Sequence, residues 1–126
     1  QYEEAVMGDM SEHFSRSELA CRCGCNQLID ENVPLDLLEF LRKYFDKPIV
    51  VHCCMRCEPH NKRVGGVNKS HHTTSSAVDF HVKGLSIKEL HREMKTIYAE
   101  KVYPDMGLGI YDWGVHVDLK GRRTWS

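Results

Sequence analysis

Two stretches of the chain repeat apolar residues every three or four positions, the spacing that places them on one face of a helix. The first covers residues 34–47, where Pro34 suits the start of a helix and Asp36 suits its first turn. The second covers residues 86–100, which begin with the spacing of an N-terminal capping box. We therefore predict two main helices. Their predicted buried faces consist of Leu37, Leu38, Leu41, Tyr44 and Phe45 in the first helix, and of Ile87, Leu90, Met94, Ile97 and Tyr98 in the second.

Four shorter stretches have the pattern of strands. Residues 48–53 are β-branched and apolar, whereas residues 77–82 alternate, so that Asp79 faces the side opposite to its apolar neighbours. Residues 107–112 and 114–120 predict two further strands that are joined by a turn. The predicted fold class is α+β, with a small, mostly antiparallel sheet packed by two main helices.

Length and charge narrow the class of protein. We expect residues 1–126 to form a single domain with its own core, and residues 1–12 to form a loose N-terminal segment. The net charge of -1 gives no basic field, so neither nucleic acid nor an anionic membrane is an expected partner. No apolar run approaches the roughly 18 residues of a membrane span, and the acidic first ten residues are unlike a signal peptide. We expect a monomer.

The six cysteines form two groups, "CRCGC" at residues 21–25 and "CCMRC" at residues 53–57. A disulfide within either group would close a strained ring, so any disulfide is expected to join the two groups. A reducing compartment would instead keep the cysteines as thiols. A thiolate-bound zinc ion is the third interpretation, although the spacing matches no zinc finger. The sequence leaves all three interpretations open.

The segment "SHHTTSSAVDF", residues 70–80, holds two residues that suit a metal ion. Small residues separate His72 from Asp79, so the chain can leave a metal ion and return to it on the predicted strand. His116 offers a third ligand from another strand, and Asp118 follows it on the same face. Catalytic zinc takes three such ligands and keeps one position for water. The alternative is a solvated loop with a fortuitous His–Asp pair. The other histidines are expected to be surface or packing residues: His13, His52, His60, His71, His81 and His91.

Three longer segments resemble a known family in their order and spacing: "HFSRSELACRCGC", "CEPHNKRVGGVNKSHHTTSSAVDF" and "GLGIYDWGVHVDLKGRRTW". They are similar to the small D-alanyl-D-alanine carboxypeptidase-like zinc peptidases, which are phage and bacterial peptidoglycan hydrolases related to lysostaphin-type enzymes and the hedgehog domain. The resemblance covers residues 11–125 and implies a fold of that type. It also implies one zinc ion bound by His72, Asp79 and His116, with Arg56 nearby as a partner for a substrate carboxylate or carbonyl.

The chain departs from this family beside the implied site. The family's "SGYR" segment is "CCMR" here, so that Met55 replaces the tyrosine, while Ser75 and Ser76 replace a glycine and a basic residue. These changes leave the three implied ligands intact. We expect the substrate pocket to differ from that of the relatives.

The catalytic base is the part of the site that the resemblance fixes least. Relatives often place it three residues before the last histidine, where this chain has Trp113. Asp118 is the first candidate and Asp112 the second; alternatively, Asp118 orients a zinc ligand.

The resemblance thus implies a zinc metallopeptidase that hydrolyses peptidoglycan stem or cross-link peptides at the cell wall, as a carboxypeptidase or an endolysin-like endopeptidase. Two rival classes are a zinc-stabilised binding module without turnover and a cysteine-cluster metal or redox protein.

Overall fold

The structure is a computed structural model that describes residues 9–66 and 70–126. The described residues form four α-helices: α1 (Arg16–Leu19), α2 (Leu35–Phe45), α3 (Glu58–Arg63) and α4 (Ile87–Ala99). They also form two 3₁₀ turns, Asp30–Asn32 and His71–Thr74. The strands are β1 (Ile49–Cys53), β2 (Ala77–Val82), β3 (Gly107–Tyr111), β4 (Gly114–Asp118) and β5 (Arg123–Trp125). Within these residues, no helix has both the length and the apolarity needed to cross a membrane.

The five strands form one sheet in the order β1-β2-β4-β3-β5. The first three pairings are antiparallel, and β5 runs parallel to β3. The predicted α+β class, with its small and mostly antiparallel sheet, is therefore confirmed. The sequence pattern does not predict β5, because three residues are too few to show an alternation.

The two faces of the sheet differ in chemistry. The face that packs on the helices carries buried apolar residues such as Val78, Phe80 and Val117, which join α2 and α4 in the main core. The opposite face carries Asp79 and His116, because alternate residues of a strand point to opposite sides. The two predicted ligand residues thus stand on a sheet whose other face packs on the core.

Most of the predicted core positions are buried, and Tyr44 is the clear exception. The buried helix residues are Leu37, Leu38, Leu41, Leu90, Met94 and Ile97. Tyr44 is 44% exposed, because it lies at the margin of α2 and its hydroxyl donates a hydrogen bond of 2.6 Å to Glu93 on α4. It therefore links the two helices at the surface rather than filling the core.

The first eight residues of the N-terminal segment lie outside the described residues. The described part of that segment is hydrogen-bonded to the domain. The backbone N–H groups of Met10 and Ser11 donate to the carbonyl of Phe14, and the Ser11 hydroxyl donates to Glu39 over 2.7 Å. Residues 10 and 11 are therefore held against α2.

Candidate metal centre

Three elements bring His72, Asp79 and His116 together. His72 lies in the 3₁₀ turn before β2, and the Ser70 hydroxyl caps that turn by accepting the His72 backbone N–H over 3.1 Å. Asp79 on β2 is the cross-strand partner of His116 on β4. One nitrogen or oxygen from each of the three side chains lies within 4.8 Å of the others. The sequence-predicted ligand residues therefore converge on one point.

The ring of His72 is oriented by the backbone. His72 is 3% exposed, and its Nδ1 lies 3.0 Å from the carbonyl oxygen of Cys54. A carbonyl only accepts, so Nδ1 carries the proton and Nε2 is left to face Asp79 Oδ2, at 3.1 Å. Burial lowers the pKa of His72, but the Asp79 carboxylate and the Cys53 thiol outweigh it and raise the pKa to about 10.

His116 lies between two carboxylates. Its Nδ1 is 2.8 Å from Asp79 Oδ1, and its Nε2 is 2.9 Å from Asp118 Oδ2. Burial opposes a charge on this ring, but the two carboxylates raise its pKa. Burial likewise raises the pKa of Asp79, but hydrogen bonds from His116 and His72 lower it to about 2. The centre therefore keeps a carboxylate ionised between two imidazoles.

Asp118 has no exposed surface and four hydrogen-bond contacts. The guanidinium of Arg123 donates to both of its oxygens, over 3.0 and 2.8 Å, and the backbone N–H of Lys120 donates over 3.1 Å. The fourth contact is His116 Nε2. Burial alone would raise the pKa of Asp118, but these partners hold it well below its usual range. Asp118 does not line the cleft beside the metal centre, and neither does Asp112, which is exposed in the β3–β4 turn.

A cleft of about 490 Å³ opens on the three residues. Three aromatic side chains wall it. Tyr111 and Trp113 stack with their ring centroids 5.0 Å apart, and Trp125 packs on His116 at 5.2 Å. The indole N–H of Trp125 donates to the Tyr111 hydroxyl over 2.7 Å. The aromatic residues of the last segment are therefore part of the site rather than of the core.

Arg56 also lines the cleft. Its Nη2 lies 3.4 Å from the Ser70 hydroxyl, whereas its Nε is buried and has no hydrogen-bond partner among the described residues. Its backbone N–H donates to the His72 carbonyl over 2.9 Å, which fixes the segment beside the metal centre. The Arg56 guanidinium thus lines the cleft with part of its hydrogen-bonding capacity unused by the described residues.

The sequence departures at Met55 and Ser75 lie behind the centre and do not line the cleft, so they do not themselves produce the expected difference in the substrate pocket. Met55 is 3% exposed and packs on Cys21 and Cys57. Ser75 has a left-handed backbone, with φ of 64°, the conformation for which a glycine is ordinarily favoured. Its hydroxyl donates to the sulfur of Met55 over 3.0 Å and accepts the Ile29 N–H over 2.9 Å. The two substitutions therefore interact with each other and support the turn that carries His72.

Four of the remaining histidines have partners other than the three converging residues, whereas His71 shares the 3₁₀ turn with His72. His52 and His81 pair at 2.7 Å, His13 lies 2.6 Å from Glu39, and His91 bonds the carbonyl of Tyr111 at 2.7 Å. Arg123 is the residue that the sequence pattern missed. It follows its partner Asp118 by five residues, and the two side chains meet because both residues pair with Gly107 of β3, one from each side.

The sequence of the chain matches the family model described as Peptidase M15 over residues 12–118. The chain belongs to the Peptidase M15 family. The predicted resemblance to D-alanyl-D-alanine carboxypeptidase-like peptidases is thereby confirmed, and the protein is a peptidase of a metallopeptidase family with a candidate metal centre. Neither the curated proteins nor the solved structures contain a significant match to the chain.

Proposed function

We propose that this M15 peptidase uses one zinc ion, bound by His72, Asp79 and His116, to hydrolyse peptidoglycan stem or cross-link peptides. The observation that carries the proposal is the convergence of two imidazoles and a carboxylate at the floor of an open cleft. Two nitrogen donors and one oxygen donor form the ligand set typical of catalytic zinc in hydrolases.

The donor geometry supports the fit of a zinc ion. His72 turns Nε2 towards Asp79, because Nδ1 is taken by the Cys54 carbonyl. His116 turns Nδ1 to the same carboxylate, because Nε2 is taken by Asp118. When bound, zinc lowers the pKa of a coordinated water towards about 7 and polarises the scissile carbonyl.

Arg56 is proposed to bind the substrate. Its buried Nε lacks a partner among the described residues, and the side chain faces the cleft. A guanidinium can hold a peptide carboxylate with two parallel hydrogen bonds, or stabilise negative charge that develops on the carbonyl oxygen. A substrate that ends in a carboxylate close to the scissile bond suits this arrangement.

Asp118 is proposed to orient His116. The sequence favours Asp118 as the catalytic base, with orientation of a ligand as the alternative. Its full burial, its four contacts and its absence from the cleft wall support the alternative. A carboxylate that receives the second N–H of a ligating histidine fixes the ring and makes it a stronger ligand.

The aromatic wall is proposed to position the peptide. Trp125 packs on His116, and Trp113, which is 39% exposed, extends the wall towards solvent. Flat apolar surfaces of this kind pack against short side chains and the peptide backbone. The choice of peptidoglycan as substrate rests on the family resemblance together with this open, one-sided cleft.

The test is a digest of purified peptidoglycan by the zinc-loaded chain, followed by mass spectrometry of the muropeptides. We expect new products that disappear with His116→Ala and after chelation, and that return when zinc is added back. Loss of a terminal D-alanine identifies a carboxypeptidase, and conversion of cross-linked dimers to monomers identifies an endopeptidase. A zinc-loaded chain that binds peptidoglycan without releasing products would establish the binding module instead.

A further inference from the structure

Four of the six cysteines meet at a second point in the domain. The sulfur atoms of Cys21, Cys23, Cys25 and Cys57 all lie within 4.8 Å of one another. Cys23 Sγ is 3.5 Å from both Cys21 Sγ and Cys57 Sγ. The other two cysteines, Cys53 and Cys54, lie outside this group. The proposed peptidase chemistry uses none of the four clustered thiols.

Residues 21–25 belong to a loop that brings three sulfur atoms close to the sulfur atom of Cys57. The backbone N–H of Cys21 donates to the carbonyl of Gln27 over 2.8 Å and closes the loop, and Gly24 makes its tight turn with φ of 103°. The guanidinium of Arg22 donates to the carbonyl of Val51 on β1 over 3.0 Å and fixes the loop to the sheet. The loop is therefore held close to Cys57 by contacts that involve no sulfur.

The sulfur atoms are surrounded as thiolate ligands are. The backbone N–H of Cys57 points at Cys21 Sγ over 3.3 Å, and an N–H donor of this kind stabilises the thiolate form that binds metal. Cys21 and Cys57 are buried against Met55, whereas Cys25 is exposed. Zinc at about 2.3 Å from four sulfur atoms gives tetrahedral S···S edges of about 3.8 Å, close to the observed spacing.

We propose that Cys21, Cys23, Cys25 and Cys57 bind a second zinc ion, which has a structural role. Four thiolates complete a tetrahedral shell and leave no position for water, so this site takes no part in hydrolysis. Two disulfides would need the sulfur atoms to approach in two separate pairs. Here Cys23 is equally close to Cys21 and Cys57, which suits a shared central ion better.

The cysteine site is connected to the cleft through the segment that carries Arg56. Cys57 directly follows Arg56, and the backbone N–H of Met55 donates to the carbonyl of Leu19 over 3.0 Å. A zinc ion shared by Cys57 and the 21–25 loop ties the Arg56 segment to the N-terminal part of the domain. It stabilises the fold and fixes the backbone from which Arg56 reaches the cleft.

The test measures metal content by mass spectrometry of the full chain, purified with zinc under reducing conditions. We expect two zinc ions per chain in the wild type and one in His116→Ala, which keeps the cysteine site. We also expect one in Cys25→Ser, which keeps the histidine site. The matched control is Cys54→Ser, because the Cys54 thiol donates to the Ser75 carbonyl outside the cluster and a hydroxyl can do the same. This variant should keep both ions.

A second measurement uses no cysteine variant, so it still tests the proposal if Cys25→Ser does not fold. His116→Ala loaded with cobalt should show an intense near-ultraviolet thiolate-to-cobalt band and the visible spectrum of a tetrahedral ion. A cobalt-loaded protein without that band overturns the proposal. So does an unreduced, zinc-loaded chain in which alkylation and mass spectrometry find a disulfide among the four cysteines, or iron in place of zinc. Each of these results is independent of whether the chain cleaves peptidoglycan.

Discussion

At the scale of single residues, the imidazole of His116 lies between two carboxylates with opposite surroundings. Asp79 lines the cleft with 18% of its side chain exposed, whereas Asp118 is fully buried and paired with Arg123. The two carboxylates therefore suit two different roles. Asp79, which reaches the cleft, is the proposed metal ligand, and the fully buried Asp118 is proposed to orient His116.

Replacement of Asp118 by asparagine separates its two possible roles. If Asp118 orients His116, Asp118→Asn weakens zinc binding about 10- to 100-fold, and excess zinc restores most of the activity. The measurement is a zinc titration followed by peptidoglycan hydrolysis with matched metal occupancy. The comparison variant is Asp112→Asn, whose side chain is exposed in the β3–β4 turn and does not line the cleft, so this variant should behave as wild type. Full zinc affinity with lost activity would make Asp118 the base.

At the scale of elements, the three-residue strand β5 has a larger effect on the site than its length suggests. It pairs in parallel with β3, and two of its side chains, two residues apart on one face, lie beside the metal centre. Arg123 reaches Asp118, and Trp125 packs on His116. A Cβ added to Gly109 would lie 2.7 Å from the Trp125 ring, so β3 keeps a glycine there to admit the indole. The strand thus supports His116 from two sides.

Truncation of Trp125 should impair the cleft without removing the metal. Trp125→Ala loses a ring contact of about 1 kcal/mol and one wall of the cleft, so we expect kcat/KM to fall about 10-fold. Trp125→Phe keeps a ring on His116 and loses only the hydrogen bond to Tyr111, so its loss should be smaller. Thr124→Ala, an exposed position on the opposite face of the same strand, is the control. Unchanged kcat/KM in Trp125→Ala would remove the aromatic wall from the mechanism.

At the scale of the whole molecule, one carboxylate joins the N-terminal segment to the helical layer. Glu39 on α2 accepts hydrogen bonds from the Ser11 hydroxyl and the His13 backbone N–H, both over 2.7 Å, and contacts the His13 ring. Burial raises the pKa of Glu39, but the His13 and Ser11 hydrogen bonds outweigh it and lower the pKa below its ordinary 4.5. The ionised form is therefore the one that stabilises the fold.

This attachment should depend on pH. A carboxylate with a lowered folded-state pKa stabilises the protein above its unfolded-state pKa, and the stabilisation is lost as the pH falls through the folded-state value. We expect Glu39→Gln to cost about 1–2 kcal/mol of unfolding free energy at pH 7, and progressively less below pH 4.5. Urea unfolding of the wild type and of Glu39→Gln, measured from pH 7 down to pH 2, checks this prediction. The exposed Glu31→Gln is the control, and a cost that stays constant down to pH 2 would contradict the prediction.

The sequence predicts the main helices and strands, and the convergence of His72, Asp79 and His116, because both follow from local pattern and family spacing. The alternation of polar and apolar residues places Asp79 and His116 on the polar faces of their strands. The spacing of the family motif identifies His72 as the third residue of the group. The contacts that define roles depend on how strands and loops pair in the fold, which the pattern does not show. Nothing in the pattern shows that Arg123 reaches Asp118, because that depends on the parallel pairing of β5 with β3. The meeting of Cys57 with the 21–25 loop likewise depends on how the domain folds back on itself.

The strand order has a consequence for how the protein comes apart. The proposed metal ligands Asp79 and His116 sit on the interior strands β2 and β4, whereas Arg123 and Trp125 sit on the short edge strand β5. Edge strands open in local fluctuations that cost less than global unfolding, so amide hydrogens of β5 should exchange before those of β2 and β4. Mild denaturant should then unfold β5, and with it the Trp125 side of the cleft, while Asp79 and His116 still hold the proposed metal ion. Activity should therefore be lost at a lower denaturant concentration than the metal ion.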